Sequence, residues 1–397
     1  MIRVALKMLL GDRAKYVGLL FGITFTSFLV TFAASYFCGF MTRGFALIAE
    51  NPTADVWVMD PAVDSVEQTA NMPESVLDRV RSVEGVLSAL PLALGTADVR
   101  FANGSFQPFQ IIGVDDATLS GVPVLMGGAS AIVLRSPDAA IVDPGGTEGK
   151  LETPLLKTDQ WPSEPHLDVA TRPLAVGDEL LVNDNRVRIE GTSEALPRYP
   201  PRPLLYTTLS NANRILLPER HRLTFVLATA APGVAPNELA TRVQARTGLK
   251  ARTSDDFKAD TVRWFLINSE DVGDIAAMLS LAISVGFGVT GIMLYMFTQE
   301  TLKQYAVIKT MGASSRLLLA MISAQAGMCA LLGTGFGFGL CAVIGQIAME
   351  AAGYPFRMMW FTPLVGGVMV MLVSVVAAAI STRPVLKLEP AVVFAGR

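Results

Sequence analysis

Histidine and cysteine are scarce in this 397-residue chain: two of the first, His166 and His221, and three of the second, Cys38, Cys329 and Cys341. Two histidines far apart in sequence do not supply the usual zinc ligand sets. All three cysteines fall inside long apolar runs, which leaves the polar part of the chain without a disulfide framework. They read as small apolar filler. Charge is sparse as well, at 17% of residues against 51% apolar, and the net charge is −3. That balance argues against a nucleic-acid partner and suits a membrane protein with a soluble portion. A phosphate-binding loop is also missing. The nearest approach, Gly145-Gly146-Thr147-Glu148-Gly149-Lys150, has Pro144 where the first glycine belongs and Leu151 where Ser or Thr would hold magnesium. Acidic pairs such as Asp255-Asp256 read as solvated surface. The expectation is a chain with no catalytic site, no bound cofactor and no metal.

What the sequence does have is apolar length. The runs 16–41, 272–297, 317–349 and 361–382 each reach the roughly 20 residues that cross a bilayer. The third exceeds that need and must tilt or project. The first is longer than the apolar region of a cleavable signal, about 7–15 residues. It reads as a retained span, although Ala33-Ala34-Ser35 offers a cleavage-like site. Lysine and arginine then orient the chain. Arg3, Lys7, Arg13, Lys15, Lys303, Lys309, Arg316, Arg383, Lys387 and Arg397 fall in segments 1–15, 298–316 and 383–397. Only Arg357 falls in the short outer loop 350–360. Segment 42–271 must face outward, and with 21 basic and 30 acidic residues it is the acidic part of the chain. The expected fold class is an α-helical membrane protein of four transmembrane helices, with a large α+β extracytoplasmic domain between helices 1 and 2.

That outer domain reads as short strands and a few helices. Val56 and Val58 alternate in a strand. Pro73 opens a helix whose Val76, Leu77, Val80 and Val83 share a face, and Gly85 ends it. ELLVNDNRVRIE reads as a hairpin turned at Asn183-Asp184-Asn185. Pro236 opens a second helix, stopped by Gly248. These two helices suggest paired β-α-β-like units over about 50–115 and 222–253, separated by a mainly β insertion at 116–221. From Ser254 the pattern turns helical and leads toward the second span as a stalk, 254–271. An amphipathic helix lying on the membrane surface is the alternative reading.

Between the second and third runs lies TQETLKQYAVIKTMGASSR, residues 298–316. As a helix it carries Leu302, Tyr305, Ala306 and Ile308 toward one side, with Met311 a turn on and Gly312 at the stop. Glu300, Lys303, Gln304 and Lys309 fall mostly elsewhere. A short polar helix between apolar spans is placed to be gripped by a soluble partner; an ordinary connecting loop is the alternative. Its wording resembles the coupling segment of MacB/FtsX-type (type VII) ABC transporter permeases, roughly E-R-x-x-E-I-G-x-L-R-A-L-G-A-S. Glu300, Lys303, Ile308, Lys309, Met311, Gly312, Ala313 and Ser314 fit identically or conservatively. Gln304 replaces an acid and Ala306 a glycine. KQYAVIKTMGAS looks most like the DevC branch. The tail RPVLKLEPAVVFAGR is similar to the family's R-x-A-x-x-L-D-P-V-E-A-L-R, matched at Arg383, Lys387, Leu388, Glu389, Pro390 and Ala391.

The resemblance implies a permease subunit in a bacterial cytoplasmic membrane, with its large domain in the periplasm. A second permease copy and a cytoplasmic ABC ATPase, which binds the ATP and magnesium, are the implied partners. Leu302, Tyr305, Ile308 and Met311 would supply apolar docking for that ATPase, and Glu300, Lys303 and Lys309 polar contacts. The outer domain would be a porter lobe with a β insertion, moved through the stalk. The DevC-like wording implies a periplasmic membrane-fusion adaptor and export of a lipid, glycolipid or other amphiphile. Alternatives within the family are an FtsX-like signalling subunit that activates a cell-wall hydrolase and a lipoprotein-release permease. A membrane-anchored receptor without an ATPase is a reading from outside it.

Overall fold

The computed structural model describes residues 13–128, 130–147, 151–156, 167–217 and 223–381, so His166, His221, the end of the Gly145–Lys150 loop and the tail motif lie outside the described residues. The elements are α1 (Arg13–Gly44), α2 (Ala46–Ala49), β1 (Val56–Met59), α3 (Ser75–Arg81), β2 (Val86–Arg100), β3 (Phe106–Val114), β4 (Ala139–Asp143), β5 (Glu152–Pro154), β6 (Thr171–Pro173), β7 (Glu179–Val182) and β8 (Asn185–Thr192). They continue with β9 (Leu204–Thr208), α4 (Leu209–Ile215), β10 (Phe225–Ala230), α5 (Pro236–Thr247), β11 (Lys250–Thr253), α6 (Ser254–Asn268), α7 (Glu270–Glu300), α8 (Leu302–Thr310), α9 (Ser315–Ala352) and α10 (Thr362–Ser381). Two compact units emerge, a sheet unit from Met41 to Asn268 and a helical unit from the remainder.

In the sheet unit the two helices expected from their Pro and Gly punctuation cover one face of an antiparallel sheet in the order β11-β1-β10-β2. The chain order β1-α3-β2 followed by β10-α5-β11 makes this a split β-α-β arrangement. α5 shows why it forms: Pro236 is pre-set for the first turn, Leu239, Ala240, Val243 and Thr247 face inward, and Gly248 closes the helix at φ 71°. Those side chains pack with Val76 and Val80 of α3 on Val56, Val58, Val226 and Ala228. The opposite sheet face carries Trp57, which lies 5.4 Å from the Phe225 ring and 5.7 Å from Phe257 of α6. Its indole N–H donates to Ser254 Oγ at 3.2 Å.

β2 is 15 residues long and serves two sheets. Its first half pairs with β10, from Val86 to Leu92, and its second half with β3, from Leu92 to Arg100. β3 continues to β9, β4, β8 and β7, and β7 pairs back with Val99 and Arg100. The ring β2-β3-β9-β4-β8-β7 is therefore a closed barrel, which removes strand edges that would otherwise stand open. Val99, Phe109, Ile111, Val142, Val182, Ile189 and Leu205 share its core. The division between the lobes thus falls within β2, and β3 belongs with the barrel rather than with a lobe ending near residue 115. Asn183 and Asp184, at φ 48° and 62°, form a two-residue turn between β7 and β8. A buried ion pair joins Arg198 to Glu50, just beyond α2, while Arg198 also reaches the Tyr206 hydroxyl at 3.1 Å. Burial pushes the Tyr206 hydroxyl well above the ordinary tyrosine range.

Among the described residues, four helices are long and apolar enough to cross a membrane: Tyr16–Gly44, Glu270–Glu300, Arg316–Ala352 and Thr362–Ile380. α1 is packed through small residues, which allow backbones to approach closely where lipid gives no drive to associate. A Cβ added to Gly286 of α7 would lie 2.2 Å from Thr26 Cγ2 of α1. Thr26 Oγ1 donates to its own helix at Gly22 O (2.8 Å) and lies 3.3 Å from Thr290 Oγ1. Within GTGFGFG, Gly333 and Gly337 abut Ile23 and Ser27 of α1, whereas a Cβ on Gly335 or Gly339 would meet nothing within 4 Å.

Trp57→Ala opens a large void between two aromatic rings and should cost about 3–5 kcal/mol. Leu87→Ala, on the surface, should stay within about 0.5 kcal/mol of the parent. Near-ultraviolet dichroism of the full chain during thermal unfolding in detergent checks both.

Candidate functional site

Thr301 separates α7 from α8, and its carbonyl accepts from Gln304 N (3.0 Å) and Tyr305 N (3.1 Å), which starts the new helix. The helix ends in a glycine cap. Gly312 has φ 95°, and Ala313 N donates back to Ile308 O at 3.3 Å. A Cβ on Gly312 would meet nothing within 4 Å, so the requirement for glycine there is conformational. Ser314 then caps α9, its Oγ accepting from Leu317 N at 3.3 Å. The segment 298–316 is thus a helix of two and a half turns between two candidate spans, defined at both ends by its own residues.

Its faces differ from the sequence expectation. Tyr305 and Ala306 are fully buried against Leu318, Met321 and Ile322 of α9, with Ile308 and Ala313 half-buried beside them. The Tyr305 hydroxyl donates to Gln325 Oε1 at 2.8 Å, and Gln325 is itself buried. Burial raises the Tyr305 phenol above its ordinary pKa, against the opposing pull of its hydrogen bonds with Thr301 and Gln325. Tyr305 therefore holds α8 to α9 and is not available for docking, which corrects its assignment to an outward apolar face. The outward face is made by Gln304, Val307, Thr310, Met311 and Gly312, and Glu300 is exposed at the end of α7. Met311 is 83% exposed, and Val307, four residues earlier, lies on the same side of the helix. Lys309 is half-buried, and the side chains of Leu302 and Lys303 lie outside the described residues. Val307 was missed in the sequence because the run Tyr305-Ala306-Val307-Ile308 is apolar all round the helix; the signal that finds it is the four-residue spacing to Met311.

The exposed side of α8 is thus Gln304, Val307, Thr310 and Met311, on a helix packed against the start of α9. Residues 276–390 match the FtsX-like permease C-terminal family. The FtsX-like segment takes in most of α7, all of α8, α9 and α10, and the tail positions Arg383, Lys387, Glu389 and Pro390, which lie outside the described residues. No curated protein matches the chain. Among solved structures, the periplasmic region of MacB from Actinobacillus actinomycetemcomitans aligns at 14% identity over 55% of this chain and 94% of that one, with a TM-score of 0.35. The extracellular domain of the noncanonic ABC-type transporter YknZ from Gram-positive bacteria aligns at 13% identity over 50% of this chain and 98% of that one, with a TM-score of 0.32.

Tyr305→Phe keeps the ring and removes one hydrogen bond, so it should cost about 1 kcal/mol. Tyr305→Ala, which empties the seat of α8, should cost about 3–5 kcal/mol. Because the folded pKa is raised, the unfolded chain releases this proton first. Stability from Tyr305 is then intact below about pH 10 and declines as pH rises beyond it. Unfolding midpoints measured across that alkaline range should fall less steeply in Tyr305→Phe than in the parent.

Proposed function

We propose that the chain is the permease subunit of an ABC transporter in a bacterial cytoplasmic membrane, docking a separate ATPase on α8. The observation that carries this reading is the outward pair Val307 and Met311 on a capped helix, within the segment that matches the FtsX-like permease family. The basic residues Lys303, Lys309 and Arg316 around α8 and the acidic sheet unit support a cytoplasmic α8 and a periplasmic sheet unit. The ATPase would grip Val307 and Met311, with Glu300, Gln304 and Lys309 as polar contacts, and would hold the ATP and magnesium. Closure of two ATPases beneath a pair of permeases would push α8. Because Tyr305 and Ala306 are seated in α9, the push passes to the third span instead of bending a loop, a rigid-body transition of the kind that couples distant sites. α6 precedes α7 with Ser269 alone between them, and it is the segment through which movement of the second span would reach the sheet unit. Export of a lipid, glycolipid or other amphiphile with a membrane-fusion adaptor is the finer reading, and it rests on the DevC-like wording of 303–314.

Co-expression of the tagged chain with ABC ATPases from the same genome, followed by purification in mild detergent, tests the docking. Val307→Asp and Met311→Asp each bury a charge in the contact and should weaken ATPase recovery about tenfold or more, equivalent to at least ~1.4 kcal/mol. Tyr305→Phe should retain it. Full recovery with both aspartate variants, or none with the parent chain, overturns the assignment.

A further inference from the structure

Residues 117–134, ATLSGVPVLMGGASAIVL, carry no charge over 18 positions, although segment 42–271 holds 21 basic and 30 acidic residues. The run begins and ends together, since Arg135 Nη2 donates to Ala117 O at 2.7 Å. Leu119, Leu125 and Leu134 are buried in the core cluster that includes Leu47 and Ile48, and Leu125 bridges to Ser193. Other apolar residues of the run point away from that core. Val124 is 86% exposed, Met126 58% and Ile132 57%. Three large apolar side chains left bare in one short loop call for an apolar phase to cover them.

The fold says where this patch stands. A Cβ on Gly121 would lie 2.6 Å from Asn51 Oδ1, and Asn51 follows α1 by a few residues. Glu50 accepts Leu196 N at 2.7 Å, and Leu196 is exposed. A Cβ on Gly44, the last residue of α1, would lie 2.6 Å from the Phe265 ring. Phe265 leads directly into Leu266 and Ile267, both exposed just before α7 begins. The uncharged run at Gly121 and Leu196 therefore adjoin Glu50 and Asn51, just after α1, and the packing of Gly44 on Phe265 sets the end of α1 beside the segment that carries Leu266 and Ile267. Phe106, by contrast, pairs with Arg100 at the end of β3 remote from Val114, after which the run begins.

We propose that Val124, Met126 and Ile132, with Leu196, Leu266 and Ile267, rest in the outer boundary of the lipid bilayer that α1 and α7 cross. A bare, uncharged loop beside two membrane entries has lipid as its nearest apolar phase, and apolar side chains at that depth enter the headgroup–acyl boundary without spanning it. A protein partner would need its own apolar surface at the same level, and nothing in the charge pattern around the loop selects one. The inference rests on reading α1 and α7 as spans.

The test uses the full chain with Cys38, Cys329 and Cys341 changed to Ala and single cysteines introduced by Val124→Cys, Phe106→Cys or Val285→Cys. Each carries an environment-sensitive fluorophore and is reconstituted in phosphatidylcholine–phosphatidylglycerol vesicles containing doxyl-labelled lipid. Val285, on α7, reports on the span itself. The expected result is quenching at positions 285 and 124, at least threefold stronger at 124 than at 106. Equal quenching at 124 and 106, with 285 quenched, overturns the lipid contact while leaving the span. Absence of quenching at 285 overturns the span reading and this inference with it. Quenching at 124 that disappears when a soluble periplasmic extract is added would assign the loop to a protein and overturn the proposal as well.

Discussion

A force applied to the outer face of α8 can reach the membrane helices only if α8 cannot rock on its support. The seat of Tyr305 and Ala306 on Leu318, Met321 and Ile322 supplies that stiffness, and the Tyr305–Gln325 hydrogen bond pins it at a fixed height on α9. Both partners of that bond are buried, so breaking it leaves a polar group without water, and the pair resists sliding more than apolar packing alone. Gly312 and the Ser314 cap add a sharp, fixed reversal immediately before α9. The proposed coupling depends on this corner being rigid.

The sheet unit solves a related problem by sharing one strand. β2 lies in the split β-α-β sheet at one end and in the closed barrel at the other, so the two lobes cannot move apart without breaking its ladder. The Arg198–Glu50 pair, with Tyr206 against both, ties the barrel strand β9 to the segment that follows α1. A pair buried to this degree contributes little net stability yet is costly to break at one partner alone. It acts as a fixed joint between the barrel and its point of attachment.

The spans and the two Pro-opened, Gly-closed helices were legible in the sequence because each carries local signals: long apolar runs, a pre-set φ at Pro236, a left-handed stop at Gly248. α8 was legible as an element for the same reason, through Gly312 and Ser314. Its orientation was not. Four consecutive apolar residues leave the helix without a clear apolar stripe, and which side is buried is decided by Gln325, 20 residues further on. The barrel was equally hidden, since its closure rests on two β7 residues finding the far end of β2. The glycine run shows the same limit. Gly333 and Gly337 share one face and Gly335 and Gly339 another, and only the position of α1 chooses between them.

The central claim is that nucleotide bound by a partner at α8 moves the sheet unit across the membrane. The most direct measurement is the distance between spin labels on Phe106→Cys in paired copies, reconstituted with the ATPase in nanodiscs, without nucleotide and with ATP trapped by vanadate. The account predicts a distance distribution that shifts on trapping and no longer shifts when Met311 is changed to Asp. A distribution that stays the same while the ATPase is bound and hydrolysing would contradict it.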